Sequence, residues 1–215
     1  MQTQQLLLKT WKRRFEMALD MELVKKLREQ TGISILECKK AVEESGGDLI
    51  KAAEILRKKG FEKAKAKSSR VTNQGAIGSY IHMKGKIGVL LELGCETDFV
   101  AKNDDFLQLI KDIAMQIAAM NPRFIAEKDI PAAVLEKEKE IYRDQLKSSG
   151  KPANIIEKIV EGKLGKFYAD TCLLHQPFFK DEKVTIQNLI ADKIHKTGEN
   201  IIVKRFVRYQ VGEEI

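Results

Sequence analysis

The sequence predicts an α+β protein: a small three-helix module, then a larger domain that mixes helices with antiparallel strands. Three observations carry that prediction. Over 21–60, apolar residues recur at helical spacing and are punctuated by Gly32, Gly46-Gly47 and Gly60. Over 75–94, two strand-like runs flank Lys84-Gly85, where the glycine supplies the positive φ that a tight turn needs. A third strand-like run, 201–211, can return to pair with them. The expected boundaries are an unassigned extension over 1–20, a helical module over 21–60, a basic linker over 61–72 and an α+β core over 73–215.

Each element has a local reason. In the extension, Leu6-Leu7-Leu8 is too short for a signal-peptide core, and the cluster Lys9, Lys12, Arg13, Arg14 follows it instead of preceding it. Leu23, Val24 and Leu27 then mark a first helix that stops at Thr31-Gly32. Ser34-Ile35-Leu36-Glu37 is a capping-box signature, in which the serine accepts a free amide and the glutamate reaches back. The helix it opens runs through Cys38, Ala41 and Val42, with Cys38 read as a small buried residue. Asp48 caps a third helix carrying Ile50, Ala53, Ile55 and Leu56 and closed by Gly60. The Lys/Ala alternation from Phe61 to Arg70 either extends that helix or links two domains.

In the core, the hairpin leads to Gly94-Cys95-Glu96-Thr97-Asp98-Phe99-Val100-Ala101-Lys102, where a strand must stop and a helix start within a few residues. Corners of this kind sit at surfaces, because their backbone groups lack regular partners. Phe99 has two readings: it folds back under the following helix, or it is offered to a partner as an aromatic wedge with Asp98 beside it. Phe106, Leu107, Ile110, Ile113, Ala114, Ile117 and Ala118 line one face of a long helix ended by Asn121-Pro122. Pro131 and Pro152 suit the first turns of two more helices, the second reaching about Gly162, with a break at Ser148-Ser149-Gly150 between them. Gln176-Pro177-Phe178-Phe179 reads as a loop with packed aromatics, and Thr185 opens a last helix.

Composition narrows the function. A chain that is 43% hydrophobic and 32% charged reads as soluble and folded, and no apolar run approaches the roughly 20 residues a membrane span needs. Cys38, Cys95 and Cys172 are far apart with no CxxC pair, which argues against a zinc module and suits a reducing cytoplasm. Residues 1–70 hold 17 Lys/Arg against 10 Asp/Glu, whereas residues 71–215 are balanced at 21 of each. A basic module of this sort fits nucleic acid, an anionic surface or an acidic protein. No glycine-rich phosphate loop, HExxH or GxSxG occurs, and His82, His175 and His195 fall in three separate elements. The expectation is a binding protein with no catalytic residue, no metal ligand and no cofactor.

The same residues carry a resemblance. Glu22-Leu23-Val24-Lys25-Lys26-Leu27-Arg28 with Thr31-Gly32, Cys38-Lys39-Lys40-Ala41, Glu96 through Asn103, Ser149-Gly150-Lys151-Pro152, Gln176-Pro177-Phe178 and Gly198-Glu199-Asn200-Ile201 occur in order over about 21–215. In these blocks the chain resembles the bacterial translation elongation factor Ts family, the guanine-nucleotide exchange factors for elongation factor Tu. The resemblance implies an N-terminal module of ubiquitin-associated type and a partner-binding corner at Thr97, Asp98, Phe99 and Val100, which acts near the partner's magnesium site. It implies a second contact at Ile35 and Leu36, where many members carry two methionines. It further implies binding to elongation factor Tu in its GDP-bound and nucleotide-free states and, for a short form with one core copy, a homodimer or a two-plus-two complex. Neither a membrane nor direct nucleic-acid binding is expected. The alternative is a basic accessory protein that binds RNA or the ribosome; the absence of an aromatic-basic cluster weighs against it.

Overall fold

The computed structural model describes residues 21–147 and 152–213. The extension expected over 1–20, the break at Ser148-Ser149-Gly150, Lys151 and the last two residues lie outside the described residues. The first elements are α1 (21–31), α2 (Ile35–Glu44), α3 (Leu49–Lys67), β1 (Gln74–His82), β2 (Ile87–Cys95), α4 (Asp98–Ala101) and α5 (Asp104–Met120). After them come α6 (Ala132–Lys147), α7 (Ala153–Thr171), β3 (Pro177–Phe178), β4 (Asp181–Thr185), α8 (Ile186–Thr197) and β5 (Ile202–Gln210). The fold is α+β. Its described residues divide into two compact units, 21–69 with 191–199, and 70–147 and 152–190 with 200–213.

The first unit is helical. Its core joins Val24 and Leu27 of α1, Cys38, Ala41 and Val42 of α2, and Ala52 and Leu56 of α3, with Ile33 between the first two helices. Burying an aliphatic side chain fully contributes about 1.5–3 kcal/mol, so this short list is a modest core. Ser34 and Asp48 cap α2 and α3 as expected, Asp48 accepting from the Ile50 and Lys51 amides at 2.9 and 3.2 Å.

α3 departs from expectation twice. Gly60 does not end it; the helix runs on to Lys67, so the Lys/Ala stretch up to that residue is helix. Lys and Ala are both strong helix formers, and the buried Gly60 has a packing reason: a Cβ there would stand 3.1 Å from His195 Nδ1. Ile50, read on the apolar face, is exposed, because the buried face is the stripe Ala52, Leu56, Gly60.

The second unit is built on a three-stranded antiparallel sheet in the order β1-β2-β5, so β2 is central and the late strand does return to the hairpin. Val89, Leu91, Leu93 and Cys95 of β2 are buried and alternate with exposed Leu90. Gly78 pairs with Leu91, and a Cβ at Gly78 would run into Ile110, so α5 packs on this face against bare backbone. α5 buries Phe106, Leu109, Ile110, Ile113, Ala114 and Ile117 and ends at Asn121 in the left-handed conformation. Leu107, read in that stripe, is exposed, and Leu109 takes its place.

The remaining elements extend this unit. Arg143 of α6 donates to both carboxylate oxygens of Glu157 of α7 at 2.8 and 3.1 Å. α7 passes Gly162 and reaches Thr171, because Val160, Leu164 and Phe167 continue its buried face. The stretch read as a loop at Gln176–Phe179 contains β3, which pairs with β4. A buried polar network holds it: Gln116 donates to Gln176 Oε1 and to the Pro177 carbonyl, both at 3.1 Å, and accepts from the Phe179 amide at 2.9 Å. Phe178 is buried and Phe179 is exposed.

Candidate partner-binding turns

The corner between β2 and α4 is held from below. Cys95 Sγ donates to the Thr97 carbonyl at 3.1 Å, and Thr97, in extended conformation, accepts the Val100 amide on its hydroxyl at 3.4 Å. Val100 and Ala101 turn inward and are buried. One helical turn cannot hide every side chain, and Phe99 is left 78% exposed. The ring does not fold back under the following helix. Asn103 caps α5 by accepting the Asp105 amide at 2.8 Å, which fixes the exit of the corner as Thr97 fixes its entry.

The polar side of the corner is Asp98, whose Oδ2 accepts from Lys102 Nζ at 2.8 Å. That hydrogen bond and the ammonium charge hold the Asp98 carboxyl below the usual aspartate range. Asp98, Phe99, Lys102 and Asn103 line a hollow of about 260 Å³. Glu96 anchors the approach to the corner: its Oε1 accepts the Asn200 amide at 2.6 Å and lies 3.5 Å from the Arg70 guanidinium, while Asn200 Nδ2 donates to the Arg70 carbonyl at 2.9 Å. Glu96 and Asn200 stand in two of the ordered blocks, but nothing in the sequence paired them.

The second predicted contact is the first turn of α2, in the first unit. Ile35 and Leu36 are 40% and 70% exposed. Ser34 accepts the Glu37 amide at 3.4 Å, one of the two halves of the expected capping box. The Glu37 side chain departs from the box. Its carboxylate takes the Ser34 hydroxyl at 3.4 Å, the Lys63 ammonium and, at 2.8 Å, His195 Nε2. Burial pushes the Glu37 carboxyl up, but the bonds from Lys63 and His195 outweigh it and hold the group lowered. Lys63 and His195 were not singled out as neighbours of this turn, since nothing local joins residues 26 and 158 positions away.

The sheet face opposite α5 was also missed as a surface. Ile77, Ile81, Leu90, Val207 and Tyr209 are exposed there, beside a groove of about 360 Å³. Among the described residues, no helix is long and apolar enough to cross a membrane.

Comparison with known proteins places this arrangement. The family profile described as Elongation factor TS matches residues 18–213. Elongation factor Ts of Fervidobacterium nodosum is 59% identical over 197 residues, which is 92% of this chain and 100% of that protein. That of Thermodesulfovibrio yellowstonii is also 59% identical over 197 residues, covering 92% and 98%. That of Thermotoga neapolitana is 55% identical over 198 residues, covering 92% and 100%. A match that spans the helical module, the corner and the returning strand alike makes this chain a member of the elongation factor Ts family.

Proposed function

We propose that this chain is a guanine-nucleotide exchange factor for elongation factor Tu and acts in translation elongation in the cytoplasm. The observation that carries the reading is Phe99, an aromatic ring 78% exposed on a turn whose next two residues are buried, in a chain of this family. Aromatic side chains on rigid, exposed turns are the usual anchors of protein interfaces.

In this reading Phe99 enters between elements of the partner's nucleotide domain, while Asp98 fixes its approach and disturbs the partner's magnesium site. The partner's magnesium neutralises phosphate charge, so displacing the elements that hold it weakens GDP without any contact to the base. Linkage makes the effect reciprocal: if this protein lowers GDP affinity, GDP lowers its affinity by the same factor. Rebound GTP then displaces the factor, which is recycled. Ile35 and Leu36 add a smaller contact from the helical module, which we take to be of ubiquitin-associated type. The apolar sheet face around Leu90 and Val207 suits a second copy of the chain, giving a dimer or a two-plus-two complex.

Release of a fluorescent GDP analogue from elongation factor Tu tests the reading. Catalytic amounts of this protein are expected to accelerate release; a folded protein that leaves the rate unchanged removes the proposal. Light scattering tests the assembly, with twice the 24.4 kDa chain mass expected and the single-chain mass for Leu90→Asp.

A further inference from the structure

Glu37, Lys63 and His195 meet behind the first turn of α2, each from a different helix. Glu37 is the third residue of α2, Lys63 belongs to α3 and His195 to α8. The His195 side chain is only 1% exposed, so its place in this cluster is a buried one. His195 Nε2 lies 2.8 Å from Glu37 Oε2 and 3.2 Å from Lys63 Nζ; a carboxylate can only accept, so the shorter contact, to Glu37, is a hydrogen bond with the hydrogen on Nε2. Among the described residues Nδ1 has no hydrogen-bond partner. It faces Gly60, the one place on α3 where the missing Cβ leaves room for the ring.

The ring is therefore set by the bond to Glu37, by the Lys63 ammonium beside the same nitrogen and by a glycine surface. The carboxylate it holds also takes the Lys63 ammonium and the Ser34 hydroxyl. The first turn of a helix ordinarily frays, because its amides lack partners within the helix. Here that turn is tied to α3 and to α8 through one side chain, and its outer side carries Ile35 and Leu36.

We infer that His195 is a positioning residue for partner binding: through Glu37 it holds the first turn of α2 so that Leu36 and Ile35 meet the partner in a fixed conformation. The inference rests on the reading above that this turn contacts elongation factor Tu.

The test is steady-state release of fluorescent GDP, stimulated by the full chain, with the concentration of GDP-loaded elongation factor Tu varied. His195→Phe keeps a ring beside Gly60 and removes the donor. It is expected to raise KM by about fivefold while kcat stays within about twofold, the mark of lost binding with the chemistry of release intact. His195→Gln restores an N–H to the carboxylate and is expected to return KM to within about twofold of the original. In a Leu36→Ala background, His195→Phe is expected to add nothing, because both changes act on one contact.

A purely structural histidine gives a different result: less folded protein, hence a lower apparent kcat at unchanged KM. That outcome overturns the inference. So does an unchanged KM for His195→Phe when Leu36→Ala alone raises it, and the contact at α2 then survives without the positioning role. If Leu36→Ala leaves KM untouched, the contact itself fails and takes the inference with it. Should His195→Phe not fold, Glu37→Gln keeps the side-chain shape, removes the charge and is read against the same outcomes.

Discussion

The turn at Thr97 and the turn at Ser34 are built alike on the outside and differently on the inside. In each, a hydroxyl accepts the amide three residues on at 3.4 Å, and the residues just past the cap put an apolar side chain in solvent, Phe99 in one and Leu36 in the other. Behind Phe99 the support is apolar and local: Val100 and Ala101, with Cys95 closing the end of β2. Behind Leu36 it is polar and distant: a carboxylate shared by Lys63 and His195. Apolar support is non-directional and indifferent to protonation. Polar support is directional, and losing one hydrogen leaves its half-buried partner without that bond. The corner at Phe99 is thus held by packing, and the turn at Leu36 by hydrogen bonds that depend on protonation.

The largest effect should come from the wedge. Phe99→Ala is expected to lower kcat/KM for stimulated GDP release by about thirtyfold or more, in the range of an interface anchor worth about 2 kcal/mol. Because the ring is exposed, the unfolding midpoint should stay within about 0.5 kcal/mol of the original. Leu36→Ala is expected to cost only about fivefold in the same assay, as a contact at the edge of a site does. A larger loss for Leu36 than for Phe99 would invert the ranking of the two turns.

Support can be attacked separately from contact. Val100→Ala removes buried methyl groups beneath the wedge and is expected to cost about 1–3 kcal/mol on chemical unfolding. Exchange should fall with it, because Phe99 loses its floor. A Val100→Ala protein with full stability would mean the corner is held by its hydrogen bonds alone.

Acid should divide the turns as well. The folded carboxyl of Glu37 lies below its ordinary value of 4.5, so its bonds contribute stability that is fully present above that value and lost as pH falls through the lowered one. Asp192, in the same unit near Arg57 and His195, is pushed up by burial and acts in the opposite sense, favouring the fold as it is protonated. Glu37 alone bonds to the first turn of α2, so the local prediction follows its sign. As pH falls below 4.5, hydrogen exchange at the Glu37 and Cys38 amides should lose protection before that at Val100 and Ala101. Equal loss at both turns would erase the distinction between polar and apolar support.

The same division explains what could be read in the sequence. The corner was legible because a strand-like run and a helical pattern opening at Asn103 stand within ten residues of each other; the Thr97 cap and the inward turn of Val100 and Ala101 appear only in the structure. The exposure of Phe99 was left open between two readings, since only the packing of Val100 and Ala101 decides which side chain is shut out. Ser34 was legible as a cap, and Ile35 and Leu36 were assigned through the resemblance. The node behind them was not legible, because His195 lies 158 residues from Glu37. Gly60 was taken for a helix stop on local propensity, and it is instead a helical glycine that makes room for that histidine. The strand at Pro177–Phe178 escaped notice for a similar reason: two residues carry no period, and what orders them is Gln116, on a helix whose pattern gave no hint of a buried amide.

The smallest effect should come from Lys102, and it sharpens the corner most. Lys102 pairs with Asp98 one turn away, and both side chains are mostly exposed, at 77% and 67%. Exposed pairs four residues apart on a helix add little to stability, so Lys102→Ala should leave the unfolding midpoint unmoved. In the free protein Lys102 competes with any cation or donor that a partner brings to Asp98. Removing it should alter KM by no more than about twofold at low salt, with the difference fading as ionic strength rises. Asp98→Asn should cost more, since in the proposed mechanism the carboxylate is the group that approaches the partner. If Lys102→Ala instead cost about tenfold and resisted salt, Lys102 would itself touch the partner at short range. The wedge would then be a three-residue surface of Asp98, Phe99 and Lys102, the residues that line its hollow with Asn103.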